Sequence, residues 1–458
     1  MSTLLLHHAD LLLTMDGDRR RIPDGALYAR DNVIQAVGPS AELPSSADTV
    51  INARGKIVLP GLVNTHHHLY QTLTRAVPGA QNANLFDWLQ VLYPIWTGLT
   101  SEAVYVSALV GMAELLLSGC TTLCDHLYMY PNDVQIGDEI RAAREIGIRF
   151  HASRGSMSLG RSEGGLPPDE AVQDEDFILQ DTQHIIEKYH QAERYGMVRI
   201  VVAPCSPFSV TRDLMREAAK LARSYGVHLH THMAETYDEQ VFCLERYGCR
   251  PVTYAEKLDW IGPDVFYAHG IYVSPDEIEL MAQTGTSVCH CPSSNMRLAS
   301  GIAPIRAYRE QGVKVGLAVD GSASNDGSHM LGEARQAFLL GRISPKPPFG
   351  AGDPTGLMTK DVLEMATIEG ARVLGRDDVG SLEPDKAADF IAFDLNQLNF
   401  AGALHDPAAA LILCAPPQVD LSVINGRIIV QDGRLTTLEI EPVIERHNQI
   451  ARDLVSGA

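Results

Sequence analysis

The apolar run Pro60-Gly61-Leu62-Val63-Asn64-Thr65 ends in His66-His67-His68, so two imidazoles stand two positions apart where a strand would stop. Alternate side chains of a strand share a face, which puts His66 and His68 together and turns His67 away. Neutral imidazole is the commonest protein ligand for a metal, and this spacing predicts ligation rather than a plain polar strand end. Other apolar runs stop at similar groups. Val227-His228-Leu229-His230-Thr231-His232 continues into Met233-Ala234-Glu235, another run ends at His269, and Leu317-Ala318-Val319 ends at Asp320. His66, His68, His232 and Asp320 make a predicted ligand set for one divalent cation, zinc in the first place or ferrous iron, with a position left for water. Such water is the expected nucleophile. Asp320 can take its proton, Glu235 can shuttle protons between water, substrate and leaving group, and His269 can hydrogen-bond the developing anion. Each residue alone reads equally well as a cap or a core group; their coincidence at several strand ends is what predicts catalysis. His7, His8, His228, His230 and His290 lack a comparable partner pattern and are assigned to structure.

These groups can meet only if the fold gathers the strand ends. Eight short apolar runs, at 57–64, 121–125, 148–153, 198–203, 227–232, 265–269, 286–290 and 315–319, alternate with amphipathic stretches such as 102–117 and 211–225. Nearly continuous apolar strands separated by helical patterns predict an α/β chain with a (β/α)8 TIM-type barrel, in which every carboxyl end opens on one mouth. The ends read differently. Residues 4–56 and 379–436 hold short alternating strands with turn signals at Asp16-Gly17, Pro23-Asp24-Gly25, Asn425-Gly426 and Asp432-Gly433. Neither flank has enough apolar surface for its own core. The expected organisation is therefore a small β-sandwich domain from 1–59 and 372–458 beside a catalytic barrel over 60–371. Long connections at 75–98, 155–170 and 321–352 should sit over the mouth. Phe86, Trp88, Leu89, Tyr93 and Trp96 in the first of them suggest a lid or a contact within a homo-oligomer.

With 458 residues, 37 basic and 57 acidic side chains and a formal charge of −20, the chain has room for a large core and no surface selected for nucleic acid or anionic lipid. A small-molecule substrate is expected. The opening MSTLLLHHADLLLTMDG lacks a basic n-region, and no apolar run reaches the roughly 20 residues of a spanning helix, which points to the cytoplasm and away from membranes. Eight scattered cysteines within apolar segments fit reduced thiols. Barrel hydrolases with two metals commonly bridge them with a lysine after the fourth strand; here that end reads Val202-Ala203-Pro204-Cys205-Ser206, which favours a single ion.

Several strings resemble the amidohydrolase superfamily, in its mononuclear deaminase branch: Pro60 to His66, His232 to Glu235, Cys291-Pro292-Ser293-Ser294-Asn295, Asp320-Gly321, and Gly380-Ser381-Leu382-Glu383 leading to Ala388-Asp389. Asp385 stands where a glycine is usual, which puts one local turn in doubt. Longer strings, among them His68-Leu69-Tyr70-Gln71-Thr72-Leu73-Thr74-Arg75, Arg154-Gly155-Ser156-Met157-Ser158 and Pro204-Cys205-Ser206-Pro207-Phe208, are similar to the bacterial 8-oxoguanine deaminases of that branch. Where many relatives carry a substrate-facing histidine before Ser-Pro, this chain has Cys205. The resemblance implies an aminohydrolase acting on the C–N bond of a cyclic amidine in an oxidised purine, with Gln71, Arg154 and Cys205 as substrate-binding residues. Other amino-heterocycles, including guanine, isoxanthopterin, cytosine and s-triazines, are the enzymatic alternative, and an inactive barrel scaffold the remote one.

Overall fold

In the computed structural model, residues 2–344 and 352–457 are described. Strands β1 (Thr3–Leu13), β2 (Arg21–Arg30), β3 (Val33–Pro39), β4 (Thr49–Asn52) and β5 (Lys56–Pro60) open the chain. Eight more follow: β6 (Leu62–Asn64), β7 (Cys120–Leu127), β8 (Arg149–Ser156), β9 (Val198–Pro204), β10 (His228–Met233), β11 (Val265–His269), β12 (Ser287–His290) and β13 (Val315–Leu317). The last four are β14 (Phe390–Asp394), β15 (Leu421–Ile424), β16 (Arg427–Gln431) and β17 (Arg434–Leu435).

β6 to β13 form one eight-stranded sheet in sequence order, each neighbour parallel to the next. The Thr65 N–H donates to the Leu317 carbonyl at 3.0 Å and brings the last strand back to the first. This is the expected barrel. Helices occupy the intervals, including α1 (Leu85–Trp96) and α2 (Ser101–Leu117). α2 starts where Thr100 accepts the Ala103 N–H, satisfying one of the donors that a helix start leaves free.

The other strands form a nine-stranded mixed sheet, ordered β17-β16-β15-β14-β5-β1-β2-β3 with β4 beside β1. Both chain ends contribute, as expected, but β1 runs parallel to β4 and β5 where the flanks predict antiparallel pairing throughout. Period-two burial gives the sheet two faces. Leu11, Leu13, Ile57, Leu59, Ile391 and Phe393 join the large core of the barrel. Leu4, Leu6, Leu12, Val58, Phe390 and Val423 form a separate core on the opposite face.

The run 57–64 is not one strand. It divides at Gly61, where a Cβ would lie 1.9 Å from Thr121 Oγ1, and only glycine permits that approach. β5 therefore belongs to the mixed sheet and β6 to the barrel. Pro23-Asp24-Gly25 is not a turn either; it lies within β2, opposite a bulge in β1 at which His8 has φ +59°. The connection 75–98 folds largely into α1, capped by Asn84. The third long connection enters a helix, Met330–Ile343, and its residues 345–351 lie outside the described ones. Among the described residues no helix is long and apolar enough to cross a membrane.

Candidate metal centre and active site

His66 and His68 follow β6, His232 lies near the end of β10, and Asp320 follows β13. Their hydrogen bonds determine where each imidazole proton sits. His68 Nδ1 donates to the His126 carbonyl and His232 Nδ1 to the Cys205 carbonyl, each at 2.7 Å. His230 Nδ1 donates to the Phe266 carbonyl at 2.9 Å, which leaves His230 Nε2 to accept from His66 Nδ1 at 2.8 Å. Carbonyl oxygens only accept, so this network puts a proton on Nδ1 of all three residues and a bare lone pair on Nε2.

Those lone pairs converge. His68 Nε2 and His232 Nε2 face each other at 3.1 Å with no proton between them. His66 Nε2 has no hydrogen-bond partner and lies 3.2 Å from Asp320 Oδ1, and His68 Nε2 lies 3.4 Å from the same oxygen. Burial holds the imidazoles neutral, lowering His66, taking His68 to about 3 and His232 well below its ordinary value. Asp320 is buried among them. Bare nitrogens and a carboxylate aimed at one point repel unless a cation lies among them. The donor set therefore fits a divalent metal.

Glu235 is buried two residues beyond β10. Burial is the main cause that raises its carboxyl to about 7. Its backbone is clamped by a residue that sequence reading passed over: Glu239 accepts the N–H of Ala234 at 2.7 Å and of Glu235 at 2.9 Å. His269 Nε2 is 3.4 Å from Glu235 Oε2 and 3.9 Å from Asp320 Oδ2. Burial disfavours its charge, yet those two carboxylates raise it above the ordinary histidine value. Asn295 Oδ1 accepts from His269 Nδ1 at 2.9 Å, which aims Nε2 at the carboxylates. The backbone is strained at three of these strand ends: Ala234, His269 and Asp320 have φ of +56°, +75° and +62°.

His68, His232, Glu235, His269 and Asp320 line one side of a cavity. Gln71 and Cys205 line it, and Leu85, Trp88, Leu89 and Tyr93 of α1 roof it. Gln71 Oε1 is buried without a hydrogen-bond partner. The Cys205 thiol, pushed up to about 12 by burial, keeps its proton.

Arg154 is not part of this group. Ser153 faces into the barrel, within 3.3 Å of Cys124 Sγ, so the next residue of β8 turns outward. Its guanidinium binds Asp181 and Gln173 at 3.0 Å each and lies over the Tyr130 ring. The fork expected to hold substrate is used up in structure. Conversely, His230 and His126 belong to the centre. His126 Nε2 donates to the Ala203 carbonyl at 2.8 Å, leaving Nδ1 buried and unpartnered, and the residue groups with His66, His68 and His232 as a possible metal ligand. Position 230 offered one signal, its i, i+2 relation to His232. All eight cysteines are free thiols, and none falls in a metal-binding group among the described residues.

The sequence profile of the Amidohydrolase family matches residues 57–429. The 8-oxoguanine deaminase of Pseudomonas aeruginosa is 45% identical over 94% of this chain and 95% of its own length. The hydroxydechloroatrazine ethylaminohydrolase of a Pseudomonas species is 36% identical over 94% of this chain and 91% of its own. Among solved structures, the zinc complex of atrazine chlorohydrolase from Arthrobacter aurescens TC1 superposes with a TM-score of 0.93 at 34% identity, over 98% of this chain and 100% of that one.

Proposed function

The chain belongs to the amidohydrolase family, and from that premise we propose that it hydrolyses the exocyclic amine of an amino-heterocycle, 8-oxoguanine, giving uric acid and ammonia. One observation carries the reading: a buried carboxyl raised to about 7, Glu235, stands with His269 and Asp320 beside the bare nitrogens of His68 and His232 in one cavity, with His66 directly behind them. The name of the Pseudomonas aeruginosa relative supports the choice of purine.

His66, His68, His232 and Asp320 would hold one divalent cation, zinc or ferrous iron. When bound, it supplies Lewis acidity and brings the pKa of a water toward neutrality. The chain's own groups do the rest. Asp320 accepts a proton as water adds to the amino-bearing carbon, and Glu235 protonates the adjacent ring nitrogen. His269, whose Nε2 faces Glu235 and Asp320, donates to the newly bonded oxygen. Glu235 then takes the hydroxyl proton and passes it to the departing nitrogen, which leaves as ammonia. The proton on Asp320 returns to Glu235, and the site is reset. Gln71 offers its unpartnered amide oxygen to a purine N–H, and Cys205 offers a weak S–H donor to the 8-oxo group.

A panel of 8-oxoguanine, guanine, isoxanthopterin, cytosine and amino-s-triazines, followed by ammonia release and ultraviolet spectra, tests the substrate. The highest kcat/KM is expected for 8-oxoguanine; preference for guanine would remove it. Within that panel, Cys205→Ala should lower the 8-oxoguanine-to-guanine ratio about five-fold, the worth of ~1 kcal/mol, and leave metal content unchanged. A constant ratio would make Cys205 a packing residue only.

His230 should matter without touching substrate. Because it sets the proton on His66, His230→Phe is expected to weaken zinc affinity by ~10–100-fold in a chelator competition. Wild-type affinity in that variant would show that His66 needs no such partner.

A further inference from the structure

The C-terminal helix, Ile440–Ser456, has His447 as its buried residue. The ring stands behind the turn Leu69–Thr74, and its Nε2 is hydrogen-bonded to Thr72 Oγ1 at 2.9 Å. Thr72 is the neighbour of Gln71, the cavity-lining amide. Burial, with help from Arg75, depresses His447 to about 4, so the ring that meets Thr72 is neutral.

The rest of the turn is held by β7 and by α1. The Leu69 N–H donates to Asp125 Oδ1 at 2.6 Å, and Trp96 Nε1 donates to Thr74 Oγ1 at 3.2 Å. α2 passes so close that a Cβ on Gly111 would lie 2.6 Å from Leu69 Cδ2. Thr72 Oγ1 has a long contact, 3.4 Å, to the Ser107 carbonyl of α2, and its shorter bond runs to His447, 375 residues away in sequence. The helix of His447 reaches the end of α1: a Cβ on Gly98 would lie 3.0 Å from Leu454 Cδ1. The C-terminal helix thus backs both elements that build the substrate half of the cavity, the Gln71 turn and the roof helix, and it touches none of the metal-facing nitrogens.

We propose that His447 is a positioning residue for substrate recognition: through Thr72 it sets the placement of the Gln71 turn, so that the C-terminal helix governs substrate affinity while metal binding stays independent of it. This rests on the reading of Gln71 as substrate-facing. A residue that merely fastened the helix would change thermal stability and leave substrate affinity alone.

The test uses the full chain reloaded with zinc, as wild type, His447→Ala, His447→Gln, Thr72→Val and the Ala/Val double variant. Metal content, thermal midpoint, kcat and KM are measured, together with hydrogen exchange of the amides of residues 69–74. Expected for His447→Ala and Thr72→Val is a rise in KM of about ten-fold with kcat within about two-fold, unchanged zinc content, and faster exchange in the turn. The double variant should be no worse than either single one, and His447→Gln should recover part of the loss. Unchanged KM and exchange in both single variants, or additive losses in the double one, would overturn the proposal. If the wild-type protein processes another compound of the panel, the substrate assignment fails and KM for that compound serves the same comparison. The exchange measurement needs no substrate at all.

Discussion

Glu235→Gln is expected to lower kcat by ~10²–10⁴-fold, the span that a placed general acid and base supplies, and to leave one metal ion bound. The substitution keeps the shape and the hydrogen bonds of the main chain, because Glu239 clamps the N–H groups of Ala234 and Glu235 rather than the side chain. It removes the one carboxyl in the cavity that burial raises to about 7 and that lies 3.4 Å from His269. An amide can donate, but it cannot give up a proton and take one back, so both transfers assigned to Glu235 fail together. Turnover and metal content should be read on the same sample. Full turnover with metal present would strip Glu235 of its role; loss of both would make it a structural support of the centre.

Asp320→Asn should weaken metal retention and turnover together, with activity down on the order of 10³-fold or more. Asp320 is the carboxylate facing the bare Nε2 atoms of His66 and His68, at 3.2 and 3.4 Å. Removing its charge takes away the anionic ligand and the acceptor for the water proton at once. Chelation of the wild-type protein is the companion experiment: activity should vanish and return with zinc or ferrous iron. An Asp320→Asn variant that holds metal as tightly as wild type, or a chelated protein that stays active, would contradict the ligand set. The two variants therefore separate. Glu235→Gln divides chemistry from metal binding, whereas Asp320→Asn removes both.

Much of this arrangement was legible in the sequence because the barrel turns a one-dimensional signal into a three-dimensional one. A polar residue at the end of an apolar run needs no partner nearby to be noticed; the fold supplies the convergence. His66, His68, His232, Glu235, His269 and Asp320 stand out that way, and the structure brings them together. The groups behind them left weaker marks. His230 acts through a hydrogen bond to a residue 164 positions away, and Asn295 through one 26 positions away, so neither role exists until the strands are assembled. Arg154 failed for the opposite reason: charge and location suggested a substrate clamp, but strand alternation turned it outward to Asp181. The roof helix reads as part of a long connection, yet it forms with Pro94 inside it, and Leu85, Trp88, Leu89 and Tyr93 reach the cavity. Gly61 hid the boundary between the two sheets inside one apolar run, since polarity does not change there and what requires the glycine is the close approach of Thr121.

The central claim is hydrolytic loss of an exocyclic amine in the cavity above His66, His68, His232 and Asp320. Turnover of 8-oxoguanine by the zinc-loaded protein in water enriched in oxygen-18, with ammonia assayed and the purine product weighed by mass spectrometry, tests it most directly. The predicted result is one ammonia released for each uric acid formed, with one heavy oxygen in the product. Product without stoichiometric ammonia, or uric acid carrying no label from water, would contradict it.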